Sequence, residues 1–179
     1  MSSESMTSLL DLSGQVALIT GGNRGIGRAI AQVLAQAGAR LALVARTDEL
    51  LEEVAADLRQ THPARRQTKT GEETVLALPA DVADEAQVDR VIAQVADTWG
   101  RLDILVNNAG LINFGPLAQV DPADWQRIID VNLTGAYLCS RAAAPLMQQQ
   151  KRGRIINIAS ISAHTGGVSA GVHYAASKG

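Results

Sequence analysis

The sequence predicts an α/β protein in three layers, a parallel sheet covered by helices on each face. Three observations carry this prediction. Five short apolar runs alternate with helix-period patterns along the 179 residues. The runs are apolar on successive residues, as strands buried on both faces must be. The first run, Val16–Thr20, passes straight into a turn with glycines at 21, 25 and 27 and then into a helical pattern.

That first junction organises the chain. A strand, a tight glycine turn and a helix start together present backbone N–H groups to a phosphate. One glycine permits the turn, another lets a pyrophosphate approach the backbone, and a third lets helix and strand pack closely. The spacing is G-x-x-x-G-x-G. A glycine turn without a ligand is the plainer reading of this stretch alone.

The elements follow in order. The first helix is expected to bury Ile26, Ile30, Val33, Leu34 and Ala37, with Gly38 at its end. The second strand is Leu41–Ala45. Thr47 caps a helix that buries Leu50, Leu51, Val54 and Leu58. The polar, basic stretch Arg59–Gly71 is broken by Pro63 and reads as a solvated surface loop. The third strand is Val75–Leu78. Asp84 and Gln87 form a capping-box-like start to a helix bearing Val88, Val91, Ile92, Val95 and Trp99.

The fourth strand is Leu102–Val106, running into Asn107-Asn-Ala-Gly110. Asp121 and Pro122 open one long helix whose stripe is Trp125, Ile128, Ile129, Leu133, Ala136 and Tyr137. The fifth strand is Ile155–Ala159. Residues 1–13 read as a loose lead-in to one domain, 14–179.

Composition excludes several classes of function. Hydrophobic residues make up 46%, enough for a sizeable core. The net charge of -2 and an aromatic content of 3% argue against a nucleic-acid binder. The single cysteine, Cys139, rules out an internal disulfide framework and is expected in the core. His62, His164 and His173 form no recognisable metal-ligand set. No apolar run reaches the roughly 18 residues of a membrane span, and the start lacks the pattern of a leader. A cytoplasmic location is the expectation.

A few polar residues stand where chemistry is done. Asn132 sits within an apolar stripe, where a buried amide needs partners, backbone groups among them. Ser160 follows the last strand, where sites of parallel sheets gather, and Ser162 is a nearby alternative. Tyr174 and Lys178 stand at i and i+4, on one helical face. A free phenol titrates near ~10, and a neighbouring cation stabilises the phenolate, so the pair suits proton exchange with a carbonyl or alcohol. An ordinary exposed helical pair is the plainer reading.

Taken together, Thr20–Gly27, Asn107–Gly110, Asn132, Ser160 and the Tyr174-x-x-x-Lys178 pair occur in an order and at spacings that resemble the short-chain dehydrogenase/reductase family. Within it, the 3-oxoacyl-[acyl-carrier-protein] reductase-like members look most similar. The resemblance covers roughly residue 12 to the end. It implies a Rossmann-type doubly wound sheet, an NAD(P)-binding domain, and hydride transfer between nicotinamide and a small-molecule carbonyl or secondary alcohol. Gly21, Gly25, Ile26 and Gly27 would line the cofactor phosphates, and Asn23 and Arg24 of the same turn would also contact the cofactor. Asp81 and Val82 would meet the adenine, and Asn108, Ala109 and Gly110 would lie along the cofactor. Ser160 would hydrogen-bond the substrate oxygen, Tyr174 would exchange its proton, and Lys178 would hold the nicotinamide ribose and favour the phenolate. Asn132 would hold a water that passes protons from Lys178.

The second strand ends at Ala45-Arg46 with no acid to bind a ribose 2′-OH. Arg46 and Arg24 suit a 2′-phosphate, so NADP(H) is expected over NAD(H). The Ser160-to-Tyr174 interval looks one residue longer than in many relatives, and the glycine-rich stretch between them could absorb it. Family members normally continue past the Tyr-Lys helix into further strands, helices and a substrate loop. The sequence given is therefore expected to be a C-terminally truncated fragment whose last helix frays and whose fifth strand is a bare edge. A homo-oligomer is expected of a full-length parent, not of this chain. The alternative function is a catalytically impaired nucleotide-binding fragment.

Overall fold

The computed structural model describes residues 11–61, 73–166 and 170–179. Residues 1–10, most of the basic stretch (62–72, with His62) and residues 167–169 lie outside the described residues. Five strands form one parallel sheet in the order β3-β2-β1-β4-β5. They are β1 Val16–Thr20, β2 Arg40–Ala45, β3 Val75–Pro79, β4 Ile104–Asn107 and β5 Arg154–Asn157. Strand order reverses between β1 and β4, so the ends of these two strands open a crevice.

The two faces of β1 explain the layers. Val16 and Leu18 point into one apolar cluster, Ala17 and Ile19 into the other. The first cluster lies under α3 (Glu85–Trp99) and α5 (Gly135–Gln149). The second lies under α1 (Gly25–Gln36) and α2 (Asp48–Thr61). Such doubly buried strands have no polar face to alternate, as their sequences predict. Cys139 is buried in the first cluster, where burial pushes its thiol up to about 12. Among the described residues no helix is long and apolar enough to cross a membrane.

Several expectations change in the tertiary structure. Helix α1 buries Gly27, Ala31 and Ala35, while Ile26 and Val33 are 64% and 61% exposed. The small residues let the helix axis approach the sheet, so the large ones are turned aside. Strand β4 starts two residues later than expected and takes in Asn107. Strand β5 is exposed along its whole length, because it is the sheet edge and no helix covers it.

The predicted single helix after Asp121 is three segments. Helix α4 (Pro122–Ile129) passes through a π-helical turn, Asp130–Thr134, into α5. A π turn adds a residue per turn and shifts the phase of the buried stripe. Ile128, Asn132, Leu138, Cys139, Ala143 and Met147 face inward, whereas Trp125, Leu133 and Tyr137 are exposed.

The starts of α3 and α4 follow the expected chemistry. Asp84 accepts the Gln87 N–H at 3.1 Å and the Gln87 side-chain amide at 2.8 Å, and Gln87 Oε1 accepts the Asp81 N–H at 3.0 Å. Asp121 accepts the Ala123 N–H at 2.7 Å.

Candidate active site

The glycine turn and the segments that follow β2, β3 and β4 converge at the carboxyl ends of the strands. A cleft of about 400 Å³ opens there. One wall is the glycine turn after β1, with Gly21, Asn23, Arg24, Gly25 and Ile26. The far side comes from the ends of β2 and β3, including Arg46, Asp81 and Val82. Asn108, Ala109 and Gly110, after β4, complete the floor. Thus the structure brings together on one cleft the residues the sequence singled out for cofactor contact, apart from Gly27, Tyr174 and Lys178.

Gly27 is the exception among the glycines. It is buried behind the turn, and a Cβ on it would stand 2.1 Å from the Gly21 carbonyl oxygen. Its work is close packing of α1 against the turn. A Cβ on Gly25 would meet nothing within 4 Å, but its φ of +52° lies in the left-handed region.

The loop after β4 is tied to the end of β1 by one hydroxyl. Thr20 Oγ1 accepts the N–H groups of Asn108 at 3.0 Å and Ala109 at 2.9 Å, and donates to Val106 O at 3.3 Å. Its one proton and two lone pairs are then all used. The Asn108 side-chain amide donates to the carbonyls of Thr20 and Gly21. Asn107 faces the other way. Its amide donates to Asn157 Oδ1 at 2.9 Å, across the β4–β5 register, and to Ser140 Oγ at 3.0 Å.

Asn132 owes its position to the π turn. Its Oδ1 accepts the Leu111 N–H at 2.7 Å, and its Nδ2 donates to Leu111 O and to Ser177 Oγ, each at 2.9 Å. The amide is 5% exposed and fully engaged with backbone and hydroxyl partners. The side chain therefore acts as a brace between the β4 loop and α7 (Val172–Ser177).

Helix α7 carries Tyr174 and precedes Lys178 at its C-cap. It is docked, not frayed. Ser177 Oγ receives Asn132 and donates to Tyr174 O at 2.8 Å, and Lys178 Nζ donates to Ile158 O at 2.7 Å. Gly110 marks where the pieces meet. A Cβ there would lie 3.4 Å from Asn132 Oδ1 and 3.6 Å from Lys178 Nζ. Burial of Lys178 lowers the affinity of its ammonium for its proton below the usual lysine value.

Ser160 is half-buried at the end of the loop after β5, and its Oγ accepts the Ser162 N–H at 3.2 Å. Ser162 opens the short helix α6 (Ser162–Thr165). His164 is exposed on that helix, while His173 is buried on α7 with neither ring nitrogen hydrogen-bonded. Among the described residues no group of three or more His, Cys, Asp or Glu could hold a metal.

Three residues were not singled out from sequence. Thr20 is signalled only by being a polar residue at the buried end of β1. Ser177 and Leu111 carry no local signal, because their roles depend on Asn132, more than 20 residues away in either direction along the chain.

Comparison with known proteins agrees with this arrangement. Residues 15–179 match the family described as short chain dehydrogenase. A 3-oxoacyl-[acyl-carrier-protein] reductase of Synechocystis sp. is 38% identical over 169 residues, covering 94% of this chain and 64% of the reductase. The chain thus spans just under two thirds of that relative. A short chain dehydrogenase/reductase, dpmpG, of Macrophomina phaseolina is 38% identical over 92% of this chain and 90% of its own length. A metagenomic short-chain oxidoreductase solved in complex with NADP superposes with a TM-score of 0.81 at 41% identity, covering 93% of this chain and 71% of that one. The chain belongs to the short-chain dehydrogenase family.

Proposed function

We propose that the protein is an NADP(H)-dependent oxidoreductase that interconverts a carbonyl and a secondary alcohol. The observation that carries this reading is the convergence on Gly110, at the floor of the glycine-walled cleft, of Asn132 and Lys178. The residues present fit a dinucleotide. The turn after β1 is open on its cleft side at Gly25, where no neighbour lies within 4 Å, and the cleft walls hold two guanidiniums, Arg24 and Arg46. The end of β2, Ala45-Arg46-Thr47, carries no acid to bind a ribose 2′-OH, so the charge there suits a 2′-phosphate.

Within this reading the backbone N–H groups of the turn and the N-terminus of α1 hold phosphate, and Asp81 and Val82 hold the adenine. Nicotinamide, when bound, supplies or accepts the hydride. Ser160 donates a hydrogen bond to the substrate oxygen. Tyr174 gives that oxygen a proton on reduction and takes it back on oxidation. Lys178, four residues after Tyr174 and at the C-cap of the same helix, holds the ribose hydroxyls. Asn132 keeps the β4 loop and α7 in register so that these groups meet.

Calorimetric titration of the 179-residue chain with NADPH and NADH, beside carbonyl-dependent NADPH oxidation, tests the proposal. Binding of NADPH in preference to NADH, with preference reversed or lost in Arg46→Glu, is the expected result. Binding of neither dinucleotide would refute it. Dinucleotide binding without turnover on any carbonyl tried would favour the second reading, a nucleotide-binding unit, which the exposed β5 edge also suits.

A further inference from the structure

A second cavity, of about 370 Å³, adjoins the cleft, and Arg46, Asp81 and Val131 belong to the walls of both. Beyond them its wall is α4 and the π turn, through Gln126, Arg127 and Asp130. None of these three was singled out by the glycine turn or the catalytic pattern.

The chemistry of this wall is mixed in sign. Each carboxylate already accepts a local N–H: Asp81 Oδ1 from Ala83 N at 3.0 Å, and Asp130 Oδ1 from the Gln126 side chain at 2.7 Å. Among the described residues neither Arg46 nor Arg127 has an ion-pair partner. Two guanidiniums face one space with no ion pair formed to its carboxylates, which leaves their N–H groups for a ligand's acceptors. Two carboxylates in the same space disfavour a bare anion there. Val131 and two alanines, Ala83 and Ala123, supply an apolar surface. A flat, neutral heterocycle with an amino donor and ring-nitrogen acceptors satisfies all of these at once, and adenine has that pattern.

We infer that Arg127 is a further binding residue for the base: its guanidinium forms the outer wall of the adenine end of the cleft and donates to a ring nitrogen. The inference rests on the dinucleotide reading above. It divides the labour between the arginines. Arg24 and Arg46 answer the 2′-phosphate, which only one of the two nicotinamide cofactors carries. Arg127 answers the base, which both carry. A planar fork also stacks on a heterocycle, which an ammonium does not.

The test is calorimetric titration of NADPH and NADH into the wild-type chain, Arg127→Ala, Arg127→Lys and Arg46→Ala, with thermal melting of each as the folding control. Arg127 is exposed, so its replacement should leave the melting temperature in place. Arg127→Ala should weaken both cofactors by the same factor, about fivefold to tenfold, and Arg127→Lys should restore only part. Arg46→Ala should weaken NADPH and spare NADH. Unchanged affinity in Arg127→Ala would overturn the inference while leaving the cofactor reading intact. Loss confined to NADPH would overturn it too, by assigning Arg127 to the phosphate. A wild-type chain that binds neither cofactor would overturn both readings.

Discussion

Asn132 Nδ2 donates to Ser177 Oγ at 2.9 Å, and both residues are about 95% buried. This single bond joins the π turn to the helix that bears Tyr174 and leads to Lys178. The same amide clamps the Leu111 peptide on both sides, so three elements share one side chain.

Removing the hydroxyl should expose the dependence. Ser177→Ala leaves a buried Asn132 N–H without that acceptor and should cost about 1–2 kcal/mol. Denaturant unfolding checks the value. If turnover is present, it should fall more than NADPH affinity, because α7 and not the glycine turn is loosened. Equal losses in both would argue against the brace.

Thr20 offers a second measure of the same principle. Thr20→Val keeps the shape and removes the acceptor for the Asn108 and Ala109 N–H groups. It should destabilise by about 2–3 kcal/mol and weaken NADPH binding, since the cleft floor loses its tie to β1. Thr20→Ser should restore most of the stability. Chemical denaturation of the two variants side by side decides the point.

Two glycines of one turn should respond differently to a methyl group. Gly27→Ala drives a Cβ into the Gly21 carbonyl and should cost about 3 kcal/mol or more. Gly25→Ala meets no neighbour, pays about 1–2 kcal/mol for the left-handed backbone, and stands its methyl on the wall of the cleft proposed to hold phosphate. We expect Gly25→Ala to keep most of its stability and lose nucleotide affinity. A folded, tightly binding Gly27→Ala would contradict the packing role.

Asp103 gives the fold an acid limit. It is 1% exposed, accepts the Val16 N–H at 2.9 Å and pairs with Arg101 at 2.6 Å. Burial alone would raise its carboxyl, but the Arg101 guanidinium and the Val16 N–H outweigh it and hold it below the usual carboxylate range. A depressed native value means the unfolded chain binds more protons in acid. This contribution is therefore fully present above about pH 4 and lost as pH falls through the native value. Asp103→Asn should cost about 2 kcal/mol at neutral pH and flatten the acid limb of the stability profile. An unchanged limb would show that other carboxylates set it.

Much of this was legible in the sequence because it is local. Successive apolar residues mark strands buried on both faces, and the spacing of Gly21, Gly25 and Gly27 marks the turn that opens the cleft. Asp84 with Gln87 and Asp121 with Pro122 mark helix starts through contacts two or three residues apart. The order of Asn132, Ser160, Tyr174 and Lys178 along the chain also needed no coordinates.

What only the tertiary structure decided depends on partners far apart in sequence. Ile26 and Val33 belong to an apolar stripe by periodicity, yet the close seat of α1 on the sheet favours Gly27, Ala31 and Ala35 at the contact. Between Pro122 and Gly135 the helix carries no proline or glycine to announce a π turn; the buried amide of Asn132 finds Leu111 and Ser177 only once β4 and α7 stand on either side of it. Arg127 came to line a cavity in the same way, when the ends of β2 and β3 brought Arg46 and Asp81 opposite α4. Periodicity and capping report forces that act within a few residues. The phase of a helix and the walls of a cleft are set by which surfaces bury best against each other, and that choice is made between elements.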